Sequence, residues 1–178
     1  MINSDQLITA VAGAVAVTAA IVDVRQRRIP NVLTYPAMIA GIALQTAFHG
    51  LLGLLASVEG GLLFGGIFLL FYVVRAMGAG DVKLAAALGF LVGPSASFRV
   101  MAATAIAGGI LAIVIMVFTG RVYETLKSTL NVALFHARHG LQSHPIVNLE
   151  NPKAARMPYG LAFAVGTLYW SLVPVLWR

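Results

Sequence analysis

Six stretches of apolar residues follow one another along this chain, separated by short clusters of polar residues. A helix needs about 20 mainly apolar residues to cross the hydrocarbon core of a membrane. The sequence therefore predicts six membrane-spanning helices, at residues 6–24, 32–52, 57–76, 83–97, 98–119 and 158–176. The fourth stretch is short and contains Gly93 and Pro94 near its end. A five-span alternative, in which this stretch enters the membrane and returns, therefore stays open.

Composition agrees with a membrane protein, because 60% of the residues are hydrophobic and only 10% are charged. About a quarter of the residues are charged in a soluble domain. We predict an all-α, polytopic membrane helix bundle, formed by one membrane-embedded domain over residues 1–178, with the lipid bilayer as its solvent. The absence of cysteine excludes disulfides and thiolate chemistry. The first residues lack the basic region of a secretory signal, so the first apolar stretch is expected to remain as a span.

The basic residues indicate how the chain is oriented in the membrane. The net charge is +6, but the basic residues flank apolar stretches, which is typical of membrane orientation and not of nucleic-acid binding. Basic clusters follow the first, third and fifth spans, while the opposite side holds only Arg99 and Arg178. Because cytoplasmic loops are rich in Lys and Arg, we predict a multi-pass protein of the inner (cytoplasmic) membrane, with its N-terminus outside the cytoplasm.

Residues 120–157 form the one long polar segment, and the predicted orientation makes it cytoplasmic. Apolar residues at helical spacing predict an amphipathic helix at the membrane surface over 121–139, at Val122, Leu126, Leu130 and Leu134. A plain connector is the alternative. The segment also contains three histidines without an acidic or cysteine partner at matching spacing, namely His136, His139 and His144. We therefore predict no metal site and no cofactor.

The chain has only six acidic residues: Asp5, Asp23, Glu59, Asp81, Glu124 and Glu150. A carboxylate in or beside a membrane core is costly and needs a reason. Asp23 ends the first span, Asp81 lies just before the fourth, and the predicted orientation puts both at the cytoplasmic face. Asp5 lies about 27 Å from Asp23 along a continuous helix and is not expected to share a site with it.

A pair of carboxylates at one site suits peptide hydrolysis. One group keeps a proton while the other stays ionised, because double ionisation is disfavoured. The ionised group takes a proton from the attacking water, and the protonated group assists the carbonyl oxygen and the leaving amine. Gly78 and Gly80, before Asp81, are expected to adopt conformations closed to other residues and to let a substrate strand approach. Lys83 either anchors to headgroups or favours ionisation of Asp81.

Each of these residues also fits a structural role. Asp23 suits a surface pair with Arg27, and Asp81 suits the N-cap of the fourth span. Pro30 fixes the entry to the second span and Asn31 caps it, or the two shape the site beside Asp23. The alternative function is a non-catalytic membrane subunit or a small transporter, with the two aspartates as a proton or ion relay. A transporter is expected to hold such groups near the membrane midplane.

Three sequence elements, taken in order, resemble the type IV prepilin peptidase family of membrane aspartic proteases. They are Asp23 followed by Arg28-Ile29-Pro30-Asn31, then Gly78-Ala79-Gly80-Asp81-Val82-Lys83-Leu84, and finally Met157-Pro158-Tyr159-Gly160. The resemblance covers nearly the whole chain, and it implies that Asp23 and Asp81 are the catalytic pair. We predict that five further residues bind substrate or shape the site: Gly78, Gly80, Lys83, Pro30 and Asn31. The G-x-G-D motif is shared with presenilin-type proteases, so a different protein substrate is a further alternative.

The resemblance also implies a substrate. It would be a prepilin, a small protein with a short basic leader and a hydrophobic helix, cut at the cytoplasmic membrane edge, typically after a glycine. Pilus assembly machinery would be a further partner. Many members carry an N-terminal domain with paired cysteines and also methylate the new N-terminus. This chain has no cysteine and resembles the short, single-domain members that serve Flp/Tad-type pili or archaeal preflagellins, so methyltransferase activity is not expected.

Overall fold

A computed structural model describes residues 3–120, 122–139 and 157–176 of the chain. These residues form five helices and no strand, which confirms the all-α prediction: α1 Ser4–Gln26, α2 Asn31–Val73, α3 Ala79–Thr119, α4 Val122–His139 and α5 Tyr159–Leu176. Within the described residues, α1, α2 and α3 are long and apolar enough to cross a membrane. The count of six spans stays a prediction.

Helix α2 contains a break at Gly50, whose φ of 62° and ψ of −144° lie outside the helical region. Gly41 and Gly61 would be about 30 Å apart on a straight helix. Yet a Cβ atom added at Gly41 would lie 2.6 Å from the carbonyl carbon of Phe90, and one added at Gly61 would lie 2.5 Å from its ring. The chain therefore reverses at Gly50, and both halves of α2 pack against the same part of α3.

Helix α3 has a similar break at Gly93, with φ 75° and ψ 176°, directly before Pro94. The predicted fourth span covers residues 83–97. In the structure, the corresponding helical segment begins at Ala79 and ends at the break at Gly93. At 1.5 Å per residue it is about 20 Å long, whereas a hydrocarbon core is about 30 Å thick. This length keeps both the crossing and the re-entrant alternatives open for the fourth segment.

The break in α3 frees two backbone carbonyls, and α2 supplies their donors. Pro94 has no N–H to donate to the carbonyl of Phe90, and the turn at Gly93 removes the helical partner of Leu91 as well. The Ser57 hydroxyl donates to the Phe90 carbonyl and the Gln45 amide donates to the Leu91 carbonyl, each at 2.7 Å. A membrane interior offers no water to satisfy such groups. Gln45 and Ser57 of α2 therefore stabilise the break in α3 inside the membrane.

Replacing Gln45 by leucine is expected to lower the free energy of unfolding by about 1–3 kcal/mol, because the buried Leu91 carbonyl loses its donor. Unfolding of the purified protein in detergent micelles, followed by circular dichroism, measures the change. Thr119→Val is the control, since its hydroxyl bond to the Ile115 carbonyl is exposed. The control should change stability by less than about 0.5 kcal/mol. Equal losses in the two variants would contradict this role of Gln45.

Helix α5 packs between α1 and the second half of α3 and runs antiparallel to both. Gly160 lies beside Asp23 and Gly13 lies beside Leu168, which sets the register of α5 on α1. On α3, Gly108 lies against Ala162. The buried rings of Phe64 and Phe163 lie 5.9 Å apart and join α2 to α5. Consequently the start of α5 lies at the same end of the bundle as the end of α1.

Helix α4 covers most of the predicted amphipathic region. It runs from Val122 to His139, and its apolar stripe is exposed at Leu126, Leu130 and Leu134. Its position at a membrane surface stays a prediction. Residues 140–156, which include His144, lie outside the described residues, as do the side chains of His136 and His139.

Candidate active site

A cavity of about 400 Å³ opens at one end of the bundle, where four parts of the chain meet. They are the end of α1 with the loop that follows it, the loop before α3, the first turn of α3, and the start of α5. Asp23, Asp81 and Tyr159 all line this cavity, together with the guanidinium-bearing Arg27 and Arg28. Two acidic, two basic and one phenolic side chain therefore share one pocket.

Asp23 lies on the last turns of α1 and is only 6% exposed. Its Oδ2 atom accepts a hydrogen bond of 2.8 Å from the backbone N–H of Gly160. A Cβ atom at Gly160 would lie 2.9 Å from the Asp23 Cβ and 3.1 Å from that Oδ2 atom. Glycine is therefore what allows α5 to approach closely enough to bind this carboxylate. The bond fixes the Oδ2 atom of Asp23 in a residue that lines the cavity.

Asp81 lies in the first turn of α3, where the partial positive charge of a helix N-terminus favours a carboxylate. Its Oδ2 atom accepts a hydrogen bond of 3.2 Å from the backbone N–H of Gly78. The N-cap residue of α3 is Gly78, so Asp81 is not the N-cap itself. It is the third helical residue and bonds back to the cap, which is one half of a capping box. Asp81 therefore both caps the start of α3 and lines the cavity.

The two aspartates come from helices that the chain joins only through α2, yet they line the same cavity. Asp81 lies within electrostatic range of Asp23, and Tyr159 lies within range of Asp81. Such an arrangement holds two carboxyl groups and a hydroxyl around a space large enough for a peptide bond and a water molecule. It offers both a proton acceptor and proton donors to a reacting carbonyl.

Asp5 lies at the other end of α1, as its sequence position predicts. Its Oδ1 atom is 3.7 Å from the Nε2 atom of His49, beside the chain reversal at Gly50. It is not among the residues that line the cavity. Because α1 is continuous from Ser4 to Gln26, Asp5 and Asp23 are separated by the length of the helix.

The loop between α1 and α2 turns sharply at Arg27, which has a left-handed φ of 54°. Its N–H donates to the carbonyl of Asp23 at 2.8 Å, so α1 ends at Gln26, one turn after the carboxylate. Arg27 and Arg28 are exposed at the cavity, and the next residue, Ile29, is buried. Guanidinium groups carry donors that suit substrate backbone carbonyls at this opening.

The expected conformational role of Gly78 and Gly80 is wrong. Gly78 has a φ of −80°, and neither glycine is among those with positive φ. The reason for glycine is space. A Cβ atom at Gly80 would lie 3.2 Å from the Cβ of Ile29, and one at Gly78 would lie 3.3 Å from an oxygen of Asp81. Both line the cavity, and their small size lets the α1–α2 loop approach the start of α3.

Lys83 and Asn31 lie beside the cavity but are not among its lining residues. The Lys83 ammonium donates to the Asn31 side-chain oxygen at 2.9 Å and lies 5.3 Å from the centroid of the Tyr35 ring. The prediction that Asn31 caps the second span is wrong, because the N-cap residue of α2 is Pro30 and no side chain caps this helix. This contact ties the start of α2 to the start of α3, which carries Asp81. The geometry therefore fits a site-shaping role better than direct contact with a reacting group.

Two residues of the site, Tyr159 and Gly160, were not among the predicted site residues. Tyr159 lines the cavity, and the backbone N–H of Gly160 donates to Asp23. The signal that could have found them was the Pro158-Tyr159-Gly160 element at the start of the sixth predicted span. Met157 lines the cavity from the same element.

A model of the type IV leader peptidase family matches residues 10–113, which include both aspartates and the loops that position them. The match covers more than half of the chain, and the chain belongs to this family. The resemblance seen in the sequence is thereby confirmed, and the protein is a membrane protein of a protease family. No curated protein and no solved structure matched the chain.

Proposed function

We propose that this protein is a membrane aspartic endopeptidase that removes the short basic leader of prepilin-like proteins. The observation that carries the proposal is the convergence of Asp23 and Asp81 on one cavity at one end of an apolar bundle. A leader that ends where a hydrophobic helix begins would present its scissile bond at such an edge. Family membership supports a leader-bearing substrate.

The reaction follows from a pair of carboxyl groups that shares one proton. The ionised carboxylate takes a proton from water as the water oxygen attacks the carbonyl carbon of the scissile bond. The protonated carboxyl group donates to the carbonyl oxygen and stabilises the tetrahedral intermediate. When the carbon–nitrogen bond breaks, the leaving amine takes a proton from the dyad, which returns to its shared-proton state. The hydrogen bonds from Gly160 and Gly78 hold the two side chains in place during these steps.

The distribution of charge supports a cytoplasmic site in the inner membrane. Arg25, Arg27, Arg28 and Arg75 all lie close to the cavity end of the bundle in sequence, and basic residues favour the cytoplasmic side. The position of the cavity disfavours a transporter, which would need its ionisable groups near the middle of the bundle. A prepilin peptidase would have the pilus assembly machinery as a further partner. We propose that the chain forms a single membrane-embedded peptidase domain.

Cleavage of a defined peptide tests this proposal. The purified protein in phospholipid vesicles is expected to cut a peptide made of a basic leader, a glycine and an apolar helix, once, after the glycine. Mass spectrometry identifies the products. A peptide in which the helix is replaced by a polar sequence should remain intact, because it does not partition into the bilayer. A metal chelator should leave the rate unchanged, and added S-adenosylmethionine should not add a methyl group. No cleavage, or cleavage within the helix, would overturn the assignment.

A further inference from the structure

A second cavity, of about 590 Å³, lies on the side of the bundle between α3 and α5. Its α3 wall includes Arg99, Ala103, Ala107 and Ile110, and its α5 wall includes Tyr169 and Trp170. None of these residues lines the carboxylate cavity. We call this second cavity the α3–α5 groove. Since both walls belong to the apolar bundle, its occupant must be apolar over most of its length.

The two ends of the groove differ in chemistry. Gly166 packs against Thr104, where an added Cβ atom would lie 2.6 Å from the Thr104 nitrogen, and Gly108 packs against Ala162. In this antiparallel register, Tyr169 and Trp170 lie at the level of residues 100 and 101, next to Arg99. One end therefore has a guanidinium with two aromatic side chains, while alanine, isoleucine and valine line the remainder. Trp, Tyr and Arg together are typical of the headgroup region of a membrane.

Arg99 has the charge that a phosphate requires. It is exposed on α3, and among the described residues no acidic side chain forms an ion pair with it. A cation on the lipid-facing side of a membrane helix is costly unless an anion or water reaches it. Guanidinium groups bind phosphate oxygens in a bidentate manner, and basic pockets between membrane helices bind anionic headgroups.

The length of the groove distinguishes a lipid from a protein helix. From Arg99 to Ile110 it extends about 16 Å along α3, at 1.5 Å per residue. This is about half of a hydrocarbon core of roughly 30 Å, and so about the depth of one leaflet. A transmembrane helix of a partner or of a second copy would require a surface over the full thickness.

We propose that the α3–α5 groove binds an anionic phospholipid, with its phosphate on Arg99 and one acyl chain along the alanine-lined wall. The headgroup lies toward the end of the bundle opposite the carboxylate cavity. The lipid would join α3 to α5, and α5 carries the Gly160 N–H that binds Asp23. The proposal requires only that the protein lies in a membrane, and it does not depend on the proposed peptidase activity.

Native mass spectrometry of the detergent-purified protein, titrated with phosphatidylglycerol or phosphatidylcholine, tests the proposal. We expect phosphatidylglycerol to bind more tightly, and Arg99→Gln to weaken its binding about fivefold, the effect of one basic side chain on an anionic lipid. Arg25→Gln, at the end of α1, is the matched control and should retain wild-type binding. Ala107→Leu fills the groove and should weaken the binding of both lipids. Circular dichroism without lipid checks that each variant is folded.

Several outcomes would overturn the proposal. Equal weakening by Arg99→Gln and Arg25→Gln would indicate general attraction of anionic lipid to a basic protein. Unchanged binding in both Arg99→Gln and Ala107→Leu would exclude the groove as the site. If the wild-type protein is instead a dimer without lipid, and Ala107→Leu makes it monomeric, a second copy of this chain occupies the groove.

Discussion

Replacing either Asp23 or Asp81 by asparagine is expected to reduce the rate of leader cleavage by about a thousandfold or more. Each substitution preserves the shape of the side chain and the ability to accept the backbone hydrogen bond from Gly160 or Gly78. It removes the group that takes or gives a proton, and such transfers contribute about 10²–10⁴ in rate. The rate is measured with the leader–helix peptide in vesicles. Unfolding in detergent should be little changed, which separates lost chemistry from lost folding.

Asp5→Asn is the matched control, because it makes the same substitution on the same helix at the end remote from the cavity. It should keep the wild-type rate within about twofold. The dyad assignment is wrong if a folded Asp23→Asn or Asp81→Asn protein cleaves as fast as this control. If only one of the two variants is inactive, the other aspartate is not catalytic and the two-carboxylate mechanism fails.

Replacing Gly89 by alanine is expected to be among the most damaging small changes in the bundle. A Cβ atom there would fall on the backbone carbonyl of Gly60, and a backbone carbonyl in a helix cannot move aside as a flexible side chain does. Overpacking of this kind typically costs about 1–3 kcal/mol. In lipid, helices associate through close packing of small residues, so no hydrophobic gain offsets the clash. The variant should unfold at lower temperature or denaturant concentration in detergent micelles.

Gly66→Ala is the matched control for this prediction. Gly66 lies on α2, near Gly60 in sequence, and an added Cβ atom has no neighbour within 4 Å. Alanine is the better helix former by about 0.5–1 kcal/mol, so this variant should be as stable as the wild type or more so. A Gly89→Ala protein as stable as Gly66→Ala would show that α2 and α3 do not approach as closely as the structure indicates.

Hydrophobic patterning predicted the helical fold because each apolar stretch is a local signal. The breaks at Gly50 and Gly93 lie close to the predicted span ends at residues 52 and 97, and glycine is a local signal for a turn. The partners of the break were not predictable, because Gln45 and Ser57 reach their carbonyl acceptors across 46 and 33 residues of sequence. Gln45 lies within an apolar stretch, and no neighbouring residue in the sequence explains a polar side chain there. Only the packing of α2 on α3 explains it.

The site shows the same division. Asp23 and Asp81 stood out because carboxylates are rare in this chain and need a reason beside a membrane. The contact between Gly160 and Asp23 spans 137 residues and involves a backbone N–H, which leaves no mark on side-chain chemistry. Gly78 and Gly80 carried a signal that fits two explanations, conformation and space. The structure favours the need for space, because a side chain at Gly80 would meet Ile29 and a side chain at Gly78 would meet Asp81.

The hydrogen bond between Gly160 and Asp23 also bears on when a newly made chain would become a protease. Ribosomes deliver α1 and its aspartate to the membrane long before α5 is synthesised. Until α5 inserts beside α1, the Asp23 carboxylate lacks its backbone donor and the cavity lacks Tyr159. A partly synthesised chain would therefore hold both aspartates without a finished site. In the proposed peptidase, completion of the bundle and onset of proteolysis would then be one event during biosynthesis.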